Sequence, residues 1–89
     1  MLFMNINDLI ANVKDKLQDQ IKFENIKIED KSFLHKNHSG NQIGKFHLKI
    51  TVESEELKKM SRLESNKKIY KILDDEMKNF IHSLQIIIN

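Results

Sequence analysis

The stretch Lys45–Glu53, KFHLKITVE, alternates without a break between apolar Phe46, Leu48, Ile50 and Val52 and polar Lys45, His47, Lys49, Thr51 and Glu53. Successive side chains of a strand point to opposite faces, so this is a strand with one face in a core and one polar face. A one-sided strand needs a sheet and a layer to cover its apolar face, and the flanking sequence supplies both. Upstream, Ile26 and Ile28 alternate with Lys27 and Glu29, which predicts a short strand near 23–30. The segment between the two strands is too long for a tight hairpin, whose loops usually take about two to five residues. It contains both glycines of the chain and two histidines, His35 and His38.

Further upstream the period becomes helical. Ile6, Leu9, Ile10, Val13 and Leu17 form one apolar stripe, with Asn5 as a suitable N-cap and Asp8 in the first turn, so residues 6–20 are predicted to be a helix. Downstream, Ser54 and the EELKK after it read as a turn. Ser61 and Glu64 fit a capping box that opens a second long helix with the stripe Leu63, Ile69, Tyr70, Leu73 and Met77. The β-branched run FIHSLQIII (80–88) reads as a final strand. The predicted class is α+β, in the order helix-strand-strand-helix-strand, with two helices on one face of a three-stranded sheet.

Composition narrows the function. The 89 residues are enough for one domain (1–89), with no room for a second core. Fifteen basic and 13 acidic side chains leave a net charge of +2, too little for tight nucleic-acid binding by charge alone. There is no cysteine, hence no disulfide, no thiol nucleophile and no thiolate for a zinc or iron–sulfur site unless a partner lends sulfur. No apolar run is long enough to span a membrane, and Met1–Met4 is too short for a signal segment, so a cytoplasmic protein with no membrane association is expected. The serines sit in caps and turns, the glycines fit neither nucleotide fingerprint, and Asp74-Asp75-Glu76 on a helix reads as a solvated face. The chain is not expected to be an enzyme.

Four histidines remain. His47 falls among the polar positions of its strand and is predicted to be a surface residue facing away from the helices. His82 shares the parity of Leu84 and Ile86, which points it to the core side at the start of the last strand. The ordinary reading there is a partly buried histidine satisfied by a backbone carbonyl. His35 and His38, taken alone, are polar loop residues.

The run HLKITVESEELKKMSRLESNKKIYKILDDEMKNFIHSLQI (47–86) resembles the BolA-like family. Its members commonly carry an HF-[KR]-V strand, a helix ending L-x-[DE]-E-[LM], and [IV]-H-[AS]-L at the start of the last strand. Here these stand as His47-Leu48-Lys49-Ile50, Leu73-Asp74-Asp75-Glu76-Met77 and Ile81-His82-Ser83-Leu84. The segment IEDKSFLHKNHSG (28–40) resembles the family's His-containing loop. Two departures stand out: Ser65-Asn66-Lys67 occupies the place of the family's Arg-His-Arg, and Leu57-Lys58-Lys59 that of its Phe-x-Gly turn.

The resemblance implies a type II KH-like BolA fold and a partnership with a monothiol glutaredoxin carrying a Cys-Gly-Phe-Ser motif. Such a pair shares a 2Fe-2S cluster, with thiolates from the glutaredoxin cysteine and from glutathione. This chain would contribute His82 and either His35 or His38, with His35 slightly preferred. Imidazole is an accepted replacement for thiolate on one iron of such a cluster. No cofactor is expected on the chain alone, and it is expected to be a monomer or weak homodimer. The other implied role is a DNA-binding, stress-response transcriptional regulator. There the candidate phosphate contacts are Arg62, Lys67, Lys68 and Lys71, around the start of the second long helix. Against it, no Gly-x-x-Gly loop lies between two helices to clamp a nucleic-acid backbone. The adaptor role ranks first.

Overall fold

The computed structural model describes residues 5–32 and 45–89. Seven elements follow in order: α1 (Ile6–Gln20), β1 (Asn25–Asp30), β2 (Phe46–Glu53), α2 (Glu55–Lys58), α3 (Arg62–Ile72), α4 (Asp74–Asn79) and β3 (Ile81–Ile88). The three strands form one sheet in the order β1-β2-β3. β1 runs antiparallel to β2, and β3 runs parallel to it after the helical crossover. The mixed α+β class predicted from hydropathy is therefore the observed one.

The predicted caps form. Asn5 accepts from the Asp8 amide at 2.8 Å, and Ser61 accepts from the Glu64 amide at 3.1 Å while its hydroxyl meets the Glu64 carboxylate. Leu9, Val13 and Leu17 of α1 pack on Leu48, Ile50 and Val52 of β2, with Leu57, Ile69, Leu73 and Ile81 closing the core. Burying each such side chain contributes about 1.5–3 kcal/mol, so the alternation in KFHLKITVE fixes which face of the sheet the helices cover.

Three local expectations need correction. EELKK is not a plain turn: Ser54 caps a short helix by accepting from the Leu57 amide, and its own hydroxyl donates to the Lys22 carbonyl at 2.7 Å. The second long helix is interrupted at Leu73, whose φ of −97° and ψ of 22° separate α3 from α4. The stripe is also narrower than the spacing suggested. Leu63 is 64% exposed and Tyr70 38%, while the small Ser65 is buried in their stead. Ser65 tolerates burial because its hydroxyl donates to the Arg62 carbonyl, one turn back.

Candidate functional site

The pairing of β2 with β3 is irregular at its start. Phe46 lies opposite Ile81, yet the next residue, His47, lies opposite Ser83, so His82 is one residue too many on β3. Such a bulge leaves the extra residue outside the ladder and redirects its side chain. Ile81 takes the core position and is buried, whereas His82 is exposed. The expectation that His82 points to the core side is overturned. Strict period-two parity carries Leu84 and Ile86 back to His82 only if no residue is inserted between them.

The bulge brings His82 to His47. Their rings lie 4.9 Å apart, centroid to centroid, tilted by 58°. His47 is not the surface residue predicted from its parity: it is only 5% exposed. Its Nδ1 shares a 2.6 Å hydrogen bond with the Ser83 hydroxyl, and its backbone amide donates to the Ser32 hydroxyl at 3.0 Å. Its carbonyl accepts from the Lys31 amide at 2.7 Å. Parity placed His47 on the right face, away from Leu48 and Ile50, but missed the neighbours that cover it there. The sequence did carry a signal, since His47 opens the quoted HF-[KR]-V motif.

The site is thus a rim at the start of β2 and β3, with one buried, hydrogen-bonded imidazole supporting one exposed imidazole. Ser32, which contacts His47, precedes His35 by three residues in the chain. His35 and His38 themselves lie outside the described residues. Among the described residues no group of three or more His, Cys, Asp or Glu side chains is arranged to hold a metal ion. Among the described residues His82 offers one accessible imidazole, and the chain has no cysteine.

The four basic candidates do not form one surface. Lys68 is held by Glu56 at 2.9 Å and, with Lys71, lines a groove between α1 and α3 shared with Lys16 and Asp19. Arg62 lies on the other flank of α3, beside Asn66, Ile86 and Ile88. Lys67 is exposed. No helix among the described residues is long and apolar enough to cross a membrane.

A helical layer on a three-stranded mixed sheet, with a histidine rim at the start of β2 and β3, defines a small α+β domain of the BolA type. The family profile described as BolA-like protein matches residues 17–89, and the chain belongs to that family. It is 26% identical over 74 residues to the DNA-binding transcriptional regulator BolA of Haemophilus influenzae, covering 83% of this chain and 69% of that protein. It is also 26% identical over 80 residues to SufE-like protein 1, chloroplastic/mitochondrial, of Arabidopsis thaliana, covering 84% of this chain but only 22% of that longer protein. In structure it is similar to the BolA domain of SufE1 from Arabidopsis thaliana, with a TM-score of 0.76 and 23% identity over 97% of this chain and 93% of that one. BolA1 from the same plant gives a TM-score of 0.73 at 23% identity, over 89% of this chain and 87% of that one. These structural likenesses establish the fold.

Proposed function

We infer that this protein is an adaptor that binds a monothiol glutaredoxin and helps hold or transfer a 2Fe-2S cluster. The observation that carries the reading is His82. It is lifted out of the ladder by a bulge, exposed at the rim, and backed by a buried His47 that Ser83 fixes in place. An exposed imidazole on a rigid strand is a preorganised ligand, because the supporting side chain limits the rotamers lost on binding. His82 and one of His35 or His38 would hold one iron, the partner's cysteine and glutathione the other. The cluster would supply electron-transfer or transferable iron–sulfur chemistry. The chain's own part is to orient His82 and present the rim.

Anaerobic reconstitution with a monothiol glutaredoxin and glutathione tests this, followed by visible absorption and circular dichroism. The expected result is a heterocomplex spectrum distinct from that of the glutaredoxin alone, lost in His82→Ala and altered when His35 and His38 are both replaced by Ala. A spectrum identical to that of the glutaredoxin alone, with no complex formed, would reject the reading.

A second reading is a DNA-binding regulator, favoured by the Haemophilus influenzae relative's name and by the uncommitted Lys67 and Lys71 on α3. It ranks second because Lys68 is engaged by Glu56 and Arg62 lies on the opposite flank.

A further inference from the structure

We propose that the outer edge of β3 binds a short, extended, acidic segment of a partner protein, which adds a fourth strand to the sheet and sets a carboxylate on Arg62 and Lys58. The site lies at the far end of β3 from the histidine rim and does not depend on the adaptor reading.

The direction of the backbone groups of β3 follows from its last hydrogen bonds. The Asn89 amide donates to the Val52 carbonyl and the Asn89 carbonyl accepts from the Ser54 amide, so Asn89 faces β2. Groups alternate along a strand, hence Gln85 and Ile87 also face β2, while Leu84, Ile86 and Ile88 turn their N–H and C=O outward. The Tyr70 hydroxyl already donates to the Leu84 carbonyl at 3.0 Å, which closes the first half of the edge and limits an added strand to the second. There the space between β3 and the helices is an open pocket of about 200 Å³, lined by Ile86 and Ile88 together with Lys58, Met60, Arg62 and Asn66.

A row of unpaired N–H and C=O groups is met by another extended backbone, and the side chains beside the row decide which one. Here those side chains are cationic. Arg62 is exposed in the first turn of α3, and its guanidinium has no partner among the described residues. Lys58 has only a solvent-exposed contact with Glu55 at 3.7 Å, and Glu55 does not line the pocket. No acidic residue lines it at all, so two positive charges border the pocket without a counter-charge inside it. A guanidinium offers a carboxylate two parallel N–H groups, which gives direction as well as attraction.

These charges choose among the occupants an edge can take. A second β3 brings none to meet them, because IHSLQIII contains no carboxylate. A nucleic acid would find two cations for its phosphates and no aromatic ring in the pocket on which to stack a base. An acidic strand satisfies the backbone edge and the cations together. It also distinguishes this edge from the opposite one, where β1 carries Glu29 and Asp30. Successive side chains of the incoming strand alternate between the faces of the sheet. Those on the helix side enter the pocket beside Arg62, and those on the other side lie next to Ile87. The segment that fits is thus an Asp or Glu flanked by apolar residues.

The probe is a blocked palindromic peptide, Ser-Thr-Val-Glu-Val-Thr-Ser, which presents the same side chains in either strand direction. Titration calorimetry on the full chain up to about 1 mM peptide, the range of weak association, is expected to show binding. Affinity should fall about tenfold when Gln replaces the peptide's Glu. Arg62→Gln with Lys58→Gln, both at exposed positions, should abolish that difference between the two peptides. Amide hydrogen exchange gives the location: Ile86 and Ile88 should exchange more slowly when the Glu peptide is present. Equal affinity of the unaltered protein for the Glu and Gln peptides overturns the proposal, as does the absence of binding, and both results stand whatever the variants do. Exchange at Ile86 and Ile88 that slows on raising the protein concentration alone would give the edge to a second copy. Tighter binding there of a single-stranded oligothymidylate would give it to nucleic acid. Either result overturns the proposal.

Discussion

Glu76 is a buried carboxylate, 3% exposed, and its position makes the cost of mutation lopsided. The Asn12 amide donates to it at 2.6 Å and the Lys16 ammonium lies 2.7 Å away, tying α4 to α1. Lys16 is the more exposed partner, its side chain at 36% against 4% for Glu76. Removing Lys16 strands a desolvated negative charge, which typically costs about 3 kcal/mol or more. Changing Glu76 to Gln lets Lys16 swing into water and keeps an acceptor for Asn12, a loss of about 1 kcal/mol. Lys16→Ala should therefore destabilise the fold more than Glu76→Gln in urea unfolding, and the reverse ranking would show that the pair is effectively solvated. The hydrogen bond to Glu76 holds the Lys16 ammonium above its usual pKa. This stabilisation is complete at neutral pH and is lost only as pH rises through that raised value. None of this was legible in the sequence, where Asp74-Asp75-Glu76 reads as a solvated face. The helix does present Asp74 and Asp75 to water, but the break at Leu73 turns Glu76 inward. The histidines were legible in part: motif spacing singled out His82, while the burial of His47 depends on Ser32 and Ser83, remote in sequence.

At the scale of elements, α1 was readable almost residue by residue, and β2 likewise except at the buried His47, because each has one unbroken period. β3 and the region from α2 to α4 were not, for a shared reason. A bulge, a four-residue helix and a helix break each insert a phase shift that a fixed period cannot express. What holds the short α2 is a junction through Glu56. Its carboxylate accepts from the Lys68 ammonium on α3 at 2.9 Å and from the backbone amide of Lys22, just before β1, at 3.2 Å. The hydrogen bond from Lys68, then that from Lys22, holds the Glu56 carboxyl below its ordinary value of 4.5. A lowered carboxylate pKa stabilises the folded state above the unfolded value, and that contribution fades as pH falls through the lowered one. Lys68→Ala should therefore raise the Glu56 titration midpoint toward the ordinary value in a carboxyl-detected NMR titration. It should also make the region from α2 to α3 less sensitive to mild acid. An unmoved midpoint would mean that Lys68 contributes only a solvent-screened contact, as many surface pairs do.

For the molecule as a whole, charge decides between the two functional readings. A nucleic-acid surface works by releasing counterions, so the dependence of affinity on salt counts the phosphates neutralised. The net charge is +2, and the basic side chains are largely committed or scattered. Lys16 belongs to Glu76 and Lys68 to Glu56, and Arg62 lies across α3 from the groove that Lys71 lines. Of the four candidates around the start of α3, Lys67, Lys71 and Arg62 are then left to give about three contacts. On duplex DNA this corresponds to a log–log slope near −2.7, or roughly a 40-fold loss of affinity between about 50 mM and 200 mM salt, against about 10³–10⁵ for a surface making six to ten contacts. Fluorescence anisotropy with a labelled duplex should give this shallow slope, and Lys67→Ala with Lys71→Ala should flatten it by nearly two units without changing sequence preference. A slope of −6 or steeper that survives the double substitution would locate the basic surface away from α3. It would also move the regulator reading ahead of the adaptor. The shallow slope instead leaves the histidine rim as the part of the molecule whose geometry is specific enough to carry a function.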